Sequence, residues 1–254
     1  MGFMKGAYSH SSGHCGRLKN IDPGKSQDVL ASTTVALDKL IPGRFKHQPS
    51  NSSKNFTVVL VGKTGSGKSS FGNLLVGDSV FEVNSNAESV TTERQDASFK
   101  LGNSTVTVWD TPGFYDPKKN HVLALKELRR IYKGVREGIH TIALVARCES
   151  SVDAEKVYKK IKNKHPPDVL KYIILVLTHI KHQSVNTLLE DRFQNLAKEV
   201  KSRAIGVREE SINPNNIEEQ KALRESFLNI VQAVYEDNSN SPCTNLGTSF
   251  CRLF

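Results

Sequence analysis

Residues Gly62-Lys63-Thr64-Gly65-Ser66-Gly67-Lys68-Ser69 spell a full G-x-x-x-x-G-K-S, and no other segment restricts the fold so tightly. A short β-rich run, Phe56–Val61, leads into it, and a helix-patterned stretch, Lys68–Val76, leads out. Glycines at these positions let the backbone close around phosphate oxygens and present successive N–H groups to them. The helix start adds the positive end of its dipole. Lys68 supplies a point charge for β- and γ-phosphates, and the Ser69 hydroxyl can ligate Mg2+. Gly62, Lys63, Thr64, Gly65, Ser66, Gly67, Lys68, Ser69 and Ser70 are therefore the expected nucleotide-binding residues. A glycine-rich solvent loop would need neither the strand before nor the helix after.

The pattern continues as alternating strands and helices. Ser98–Leu101 and Val106–Asp110 flank a hairpin-like break at Gly102-Asn103. Val122–Val135 reads as helix, His140–Arg147 as a buried strand, Asp153–Lys162 as helix and Tyr172–Thr178 as a second buried strand. Thr187–Ala204 reads as helix, Glu210–Ile212 as a weak strand and Ile217–Tyr235 as the last helix. Continuous apolar strands separated by helices predict an α/β fold of three layers, the P-loop NTPase architecture. Its mostly parallel central sheet has helices on both faces. Residues 1–55 read as an extension with a helix near Gln27–Ile41, 56–235 as the nucleotide-binding domain, and 236–254 as a mobile tail.

A second chemical element is Asp110-Thr111-Pro112-Gly113, at the end of the strand Val106–Asp110. From there Asp110 can reach the metal shell, and the Gly113 N–H can sense the γ-phosphate because glycine permits close approach. The metal ligands are thus expected from Ser69 and Asp110.

Composition narrows the setting. The formal charge of +9, from 35 Lys and Arg against 26 Asp and Glu, favours phosphate-bearing partners without choosing among them. No motif interleaving aromatic and basic residues supports a specific nucleic-acid partner. Cys15, Cys148, Cys243 and Cys251 are scattered, which argues against a disulfide framework and a zinc site. His10, His14 and Cys15 lie close together but lack a fourth ligand. The apolar runs are strand-sized and no secretory signal opens the chain, so a cytoplasmic setting is expected, with the cytosolic face of a membrane as its variant. The terminal Cys251-Arg252-Leu253-Phe254 fits C-a-a-X, so Cys251 is either a prenyl acceptor giving weak membrane attachment or a free thiol.

With both elements placed, the sequence resembles the immunity-associated nucleotide-binding GTPases, the IAN/GIMAP family. The resemblance rests on Val59–Ser70, Gly72–Leu75, Ser89-Val90-Thr91, Val108–Phe114 and Gly138–Val145. It implies bound GTP or GDP with Mg2+, and Thr91 as a switch threonine closing on the metal and γ-phosphate. Lys68, Thr91 and Gly113 would then carry the catalytic work. Thr178-His179 matches the start of that family's base-recognition loop, and Asn213 falls where a second base-facing asparagine belongs. Two departures stand out. Lys181 lies where an aspartate usually reads guanine, and lysine has no acceptor. Phe114 lies where Ras-like GTPases carry a water-orienting Gln, a departure the family shares. The resemblance implies slow hydrolysis, assisted by a second molecule across the nucleotide face, with Arg129, Arg130 and Arg147 as candidate arginines. The competing reading is a non-catalytic nucleotide-binding interaction module with relaxed base specificity. A small-molecule kinase would need a lid and an acceptor site that the sequence does not offer.

Overall fold

A computed structural model describes residues 54–83, 95–115, 122–201, 203–213, 215–238 and 240–243. The central strand, β1 (Asn55–Val61), is buried at every position after its first. It pairs in parallel with β3 (Ser104–Asp110) on one side and β4 (Thr141–Arg147) on the other. Beyond β4 lie β5 (Ile173–Ile180) and β6 (Ala204–Arg208), both parallel. The edge strand β2 (Gln95–Leu101) runs antiparallel to β3, giving the order β2-β3-β1-β4-β5-β6. Strands β1, β4 and β5 are mostly apolar and buried along nearly their whole length because both their faces are covered, whereas β3 alternates buried and half-buried residues toward the edge.

The helices are α1 (Lys68–Val76), α2 (Val122–Gly134), α3 (Ser151–Lys164), α4 (Val185–Asp191), α5 (Gln194–Glu199) and α6 (Ile217–Asp237). The chain moves outward from β1 to β3 through α1, then back across β1 to β4 through α2. Right-handed crossovers therefore place the two connections on opposite faces. On one face α1 packs on α6 through the edge-to-face pair Phe71–Phe227 at 5.3 Å, and Arg224 Nε donates to the Leu74 carbonyl at 2.8 Å. On the other, the Tyr158 hydroxyl of α3 donates to Glu199 of α5 at 2.9 Å. The reversal of direction at β1 opens a crevice at the carboxyl ends of β1, β3 and β4, the usual ligand position in such sheets.

Three expectations need correction. The helix expected over Thr187–Ala204 is split into α4 and α5, with the fully buried Phe193 between them, and Ala204 opens β6. The sixth strand therefore precedes Glu210–Ile212, which is a 3-10 turn. Its Gly206 is a packing requirement, since a Cβ there would lie 2.6 Å from Val185 Cγ2. The tail expected to run free from residue 236 is instead docked as far as Cys243. Ile139 and Cys243 exchange backbone hydrogen bonds of 3.2 and 2.7 Å, and the Tyr172 hydroxyl donates to the Ser241 carbonyl at 3.1 Å. Cys243 is buried by this strap. The helix near 27–41, the His10–Cys15 cluster, Thr91 and Cys251 lie outside the described residues. Among the described residues no helix is long and apolar enough to cross a membrane.

At the opposite end of the sheet, His140 packs edge-on against Phe56, and its Nδ1 accepts from the Thr57 N–H at 3.0 Å. That bond requires a neutral ring. Burial lowers the His140 pKa, with Glu137 opposing. Burial, reinforced by Arg129, pushes His165 down to about 4. Both groups stay neutral in the fold while the unfolded chain takes up protons below its ordinary histidine range. Stability should therefore be level above pH 7, fall as pH drops from the usual 6.5 toward 4, and then flatten with respect to these groups. For His165 alone the loss is about 3 kcal/mol at most. Urea midpoints measured across this range should fall on acidification, and His165→Gln should reduce the slope; equal midpoints at pH 7 and 4.5 would contradict the assignment.

Candidate nucleotide-binding site

The loop between β1 and α1 gets its shape from what surrounds each glycine. A Cβ on Gly62 would collide with the Val145 carbonyl of β4, so only glycine lets the loop leave the sheet there. Gly65 and Gly67 are left-handed, at φ 76° and 87°, a region that glycine enters without strain. A Cβ on Gly65 would meet nothing within 4 Å, so there the left-handed backbone, and not crowding, asks for glycine. From β5, the Thr178 hydroxyl donates to the Ser66 carbonyl at 2.8 Å and pins the far side of the loop.

Lys68, the first residue of α1, is buried. Its ammonium donates to the Lys63 carbonyl at 3.2 Å, the single acceptor among the described residues for a group with three N–H donors. Burial pulls its pKa below the usual lysine value, and the Asp110 carboxylate opposes that pull. A desolvated, under-coordinated cation beside a bend of left-handed glycines is a site for an anion. Ser69 donates to Asp110 Oδ2 at 2.6 Å, bringing together two hard oxygen ligands of the kind Mg2+ prefers. Asp110 is fully buried at the end of β3. Ser70 lies in the first turn of α1.

The Asp110–Gly113 segment folds directly onto the loop. Phe114 N–H donates to the Gly62 carbonyl at 2.9 Å, and Thr64 N–H donates to the Phe114 carbonyl at 3.1 Å. The Phe114 ring is fully buried. A Cβ on Gly113 would collide with Thr64. Lys63 sends its side chain to α3. Its ammonium meets Asp153 Oδ2 of α3 at 2.8 Å, and Ser150 donates to the same oxygen at 2.6 Å. These bonds, Lys63's first, hold the Asp153 pKa below the usual carboxylate value.

At the other end of the crevice, the half-buried His179 near the end of β5 has a left-handed backbone, φ 58°. Its Nδ1 lies 2.9 Å from the Thr178 hydroxyl, and Cys148 donates to its carbonyl at 3.1 Å. Burial and then Arg147 lower the His179 pKa, while Glu209 and Glu149 oppose. Lys181 and His182 are exposed. Asn213 uses its side-chain carbonyl locally, accepting from the Asn215 N–H at 3.0 Å. Two acids act electrostatically on His179 at this end, Glu209 and Glu149; Glu209 lies just past β6, and its N–H donates to the Ile180 carbonyl at 3.3 Å. Sequence reasoning overlooked Glu209 because it placed the strand too late; an acid immediately after Ala204–Arg208 would have been the signal.

The AIG1 family model matches residues 56–249, which covers this entire site. The chain belongs to the AIG1 family. Among similar curated proteins, Immune-associated nucleotide-binding protein 3 of Arabidopsis thaliana is 28% identical over 196 residues, covering 73% of this chain and 58% of its own length. GTPase IMAP family member 8 of Mus musculus is 24% identical over 72% of this chain and 28% of its own length. This AIG1 chain thus spans little more than half the length of the plant relative. Among solved structures, Toc33 from Arabidopsis thaliana, crystallised with Mg2+ and GMPPNP, aligns at TM-score 0.56 and 21% identity over 86% of this chain and 94% of its own. Era, in complex with MgGDPNP and ribosomal RNA nucleotides, aligns at TM-score 0.52 and 21% identity over 71% of this chain and 57% of its own. Both share the fold.

Replacing Lys68 with methionine tests the anion site. A buried cation of this kind costs stability when no anion is present, so nucleotide-free Lys68→Met should melt at the same temperature as wild type or higher. The rise in midpoint that Mg2+ with a nucleoside triphosphate gives wild type should disappear. A variant that melts lower yet keeps the nucleotide-induced rise would refute the role of Lys68.

Proposed function

We propose that this AIG1-family chain binds GTP and GDP with Mg2+, hydrolyses GTP slowly, and acts as a switch or scaffold through self-association across its nucleotide face. The carrying observation is the buried, under-coordinated Lys68 ammonium at the mouth of the glycine bend. Ser69 and Asp110 would hold Mg2+, which, when bound, neutralises charge between the β- and γ-phosphates. Thr91 would close on the same metal from the segment between α1 and β2. The Mg2+, GMPPNP and GDP in Toc33 structures support this reading.

Base selectivity needs an acceptor, and Lys181 has none. Glu209 supplies a carboxylate near His179, suited to the ring N–H and amino group of guanine. Phe114 lies in the core and has no group to orient water, which fits slow hydrolysis. Arg130 is bound to Glu127 at 2.6 Å on α2, and Arg129 acts on His165 at the far end of α3. Arg147 is half exposed at the carboxyl end of β4, with its nearest carboxylate, Glu149, 3.7 Å away. It is the arginine a second copy can present across the nucleotide. The reported importance of dimerization for the GTPase activity of Toc33 and Toc159 components is consistent with that arrangement.

Calorimetric affinities separate this reading from a nucleotide module with relaxed specificity. GTP should bind at least about tenfold tighter than ATP, and Glu209→Gln should narrow the gap to a few-fold. Equal affinities in wild type would reject the guanine-specific version. Steady-state hydrolysis per molecule should rise with protein concentration in wild type and stay flat and low in Arg147→Ala; no concentration dependence would remove the trans arginine.

A further inference from the structure

Among the described residues, a polar side chain with no task in the scheme above packs against Gly113, where hydrolysis needs one. Thr64 Oγ1 packs directly on Gly113, so closely that a Cβ on Gly113 would collide with it and lie 2.6 Å from the Thr64 N and Cα. This hydroxyl is shut off from solvent and makes no hydrogen bond among the described residues. The neighbouring hydroxyls are placed differently. Thr111 donates to the Leu60 carbonyl at 2.7 Å and Thr178 to the Ser66 carbonyl at 2.8 Å, each tying a loop to a strand end. Leaving a buried hydroxyl unsatisfied costs stability, so its presence asks for a partner that arrives with the ligand.

We propose that Thr64 is a catalytic residue whose hydroxyl orients the water that attacks the γ-phosphate of GTP. This rests on the GTP-binding reading above. On that reading the Gly113 amide would face the terminal phosphate, and the attacking water would lie beyond that phosphate, beside Gly113. Among the described residues, the other polar groups nearby are committed or misplaced. The Lys63 ammonium is held by Asp153 at 2.8 Å. The Phe114 ring is in the core. The Tyr115 hydroxyl reaches the Lys156 carbonyl on α3 at 3.5 Å. Ser66 Oγ is also buried without a partner, but it stands over Gly62, 2.8 Å from where a Cβ would be, rather than against Gly113.

Thr64 Oγ1 would accept one water hydrogen, or donate to the water oxygen, and align its lone pair with phosphorus. The water oxygen forms the new P–O bond. The bond from the γ-phosphorus to the bridging oxygen breaks, and its electron pair leaves with GDP. The water proton passes to a γ-phosphate oxygen, giving inorganic phosphate. Threonine gains and loses no proton overall, as its hydroxyl is too weak an acid and base for more. Seating the water requires Thr64 and Gly113 to part by a water's width. Two backbone bonds join the segments there, Thr64 to Phe114 and Phe114 to Gly62.

Thr64→Val keeps the shape and deletes the hydroxyl, whereas Thr64→Ser keeps the hydroxyl. Single-turnover hydrolysis of GTP with Mg2+ should slow at least about tenfold in Thr64→Val and stay within about threefold of wild type in Thr64→Ser. Affinity for GMPPNP should change less than about threefold in either. Nucleotide-free Thr64→Val should melt no lower than wild type, an outcome that a purely structural threonine would not give. Unchanged hydrolysis in Thr64→Val overturns the proposal, and so does equal slowing in both variants or a loss confined to affinity. If wild type binds GTP but never cleaves it, the Thr64 role falls and the binding function stands. If wild type binds no nucleotide, the functional reading itself fails.

Discussion

An ammonium kept out of water with one carbonyl as its acceptor is the constraint around which this molecule is arranged. Lys68 is held there by the start of α1, and α1 is held by its packing under α6 and by the loop that precedes it. That loop exists in this shape because β1 is the central strand of a parallel sheet, flanked by the carboxyl ends of β3 and β4. Gly62 escapes collision with β4, Gly65 and Gly67 turn the backbone left-handed, and Thr178 anchors the loop from β5. A fold that carries such a desolvated charge without an acid in hydrogen-bond contact is arranged for an anionic ligand rather than for its own stability.

Around this charge the residues divide the labour. Asp110 and Ser69 bring oxygens to one side of the crevice, His179 and Glu209 bring polar groups to the other, and Arg147 faces outward from between them. Lys63, which a motif reading assigns to phosphate, instead ties the loop to α3 through Asp153 and contributes its backbone carbonyl to Lys68. Phe114 buries its ring and gives only its backbone to the loop. With no polar side chain at that position, the hydroxyl packed against Gly113 is that of Thr64.

Much of this was legible in the sequence where the signal was local. The bend from Gly62 to Ser69 announces itself because its function demands fixed residue types at fixed spacing. Strands β1, β4 and β5 announce themselves because burial on both faces requires mostly apolar runs. What stayed hidden depends on tertiary contact. β6 is five residues with a glycine inside, and its pattern carries less information than the packing of Gly206 on Val185. Once β6 was misplaced, Glu209 could not be recognised at its end. The strap through Cys243 is polar and turn-rich in sequence and is ordered by two backbone bonds to Ile139. The direction of the Lys63 side chain and the contact between Thr64 and Gly113 likewise appear only when distant segments meet.

The most direct measurement is a crystal structure of the wild-type chain grown with Mg2+ and GMPPNP. It should show the triphosphate inside the bend of residues 62–69, with Lys68 Nζ turned from the Lys63 carbonyl onto β- and γ-phosphate oxygens. A nucleotide ordered elsewhere, with Lys68 still bonded only to Lys63, would contradict the account at its root.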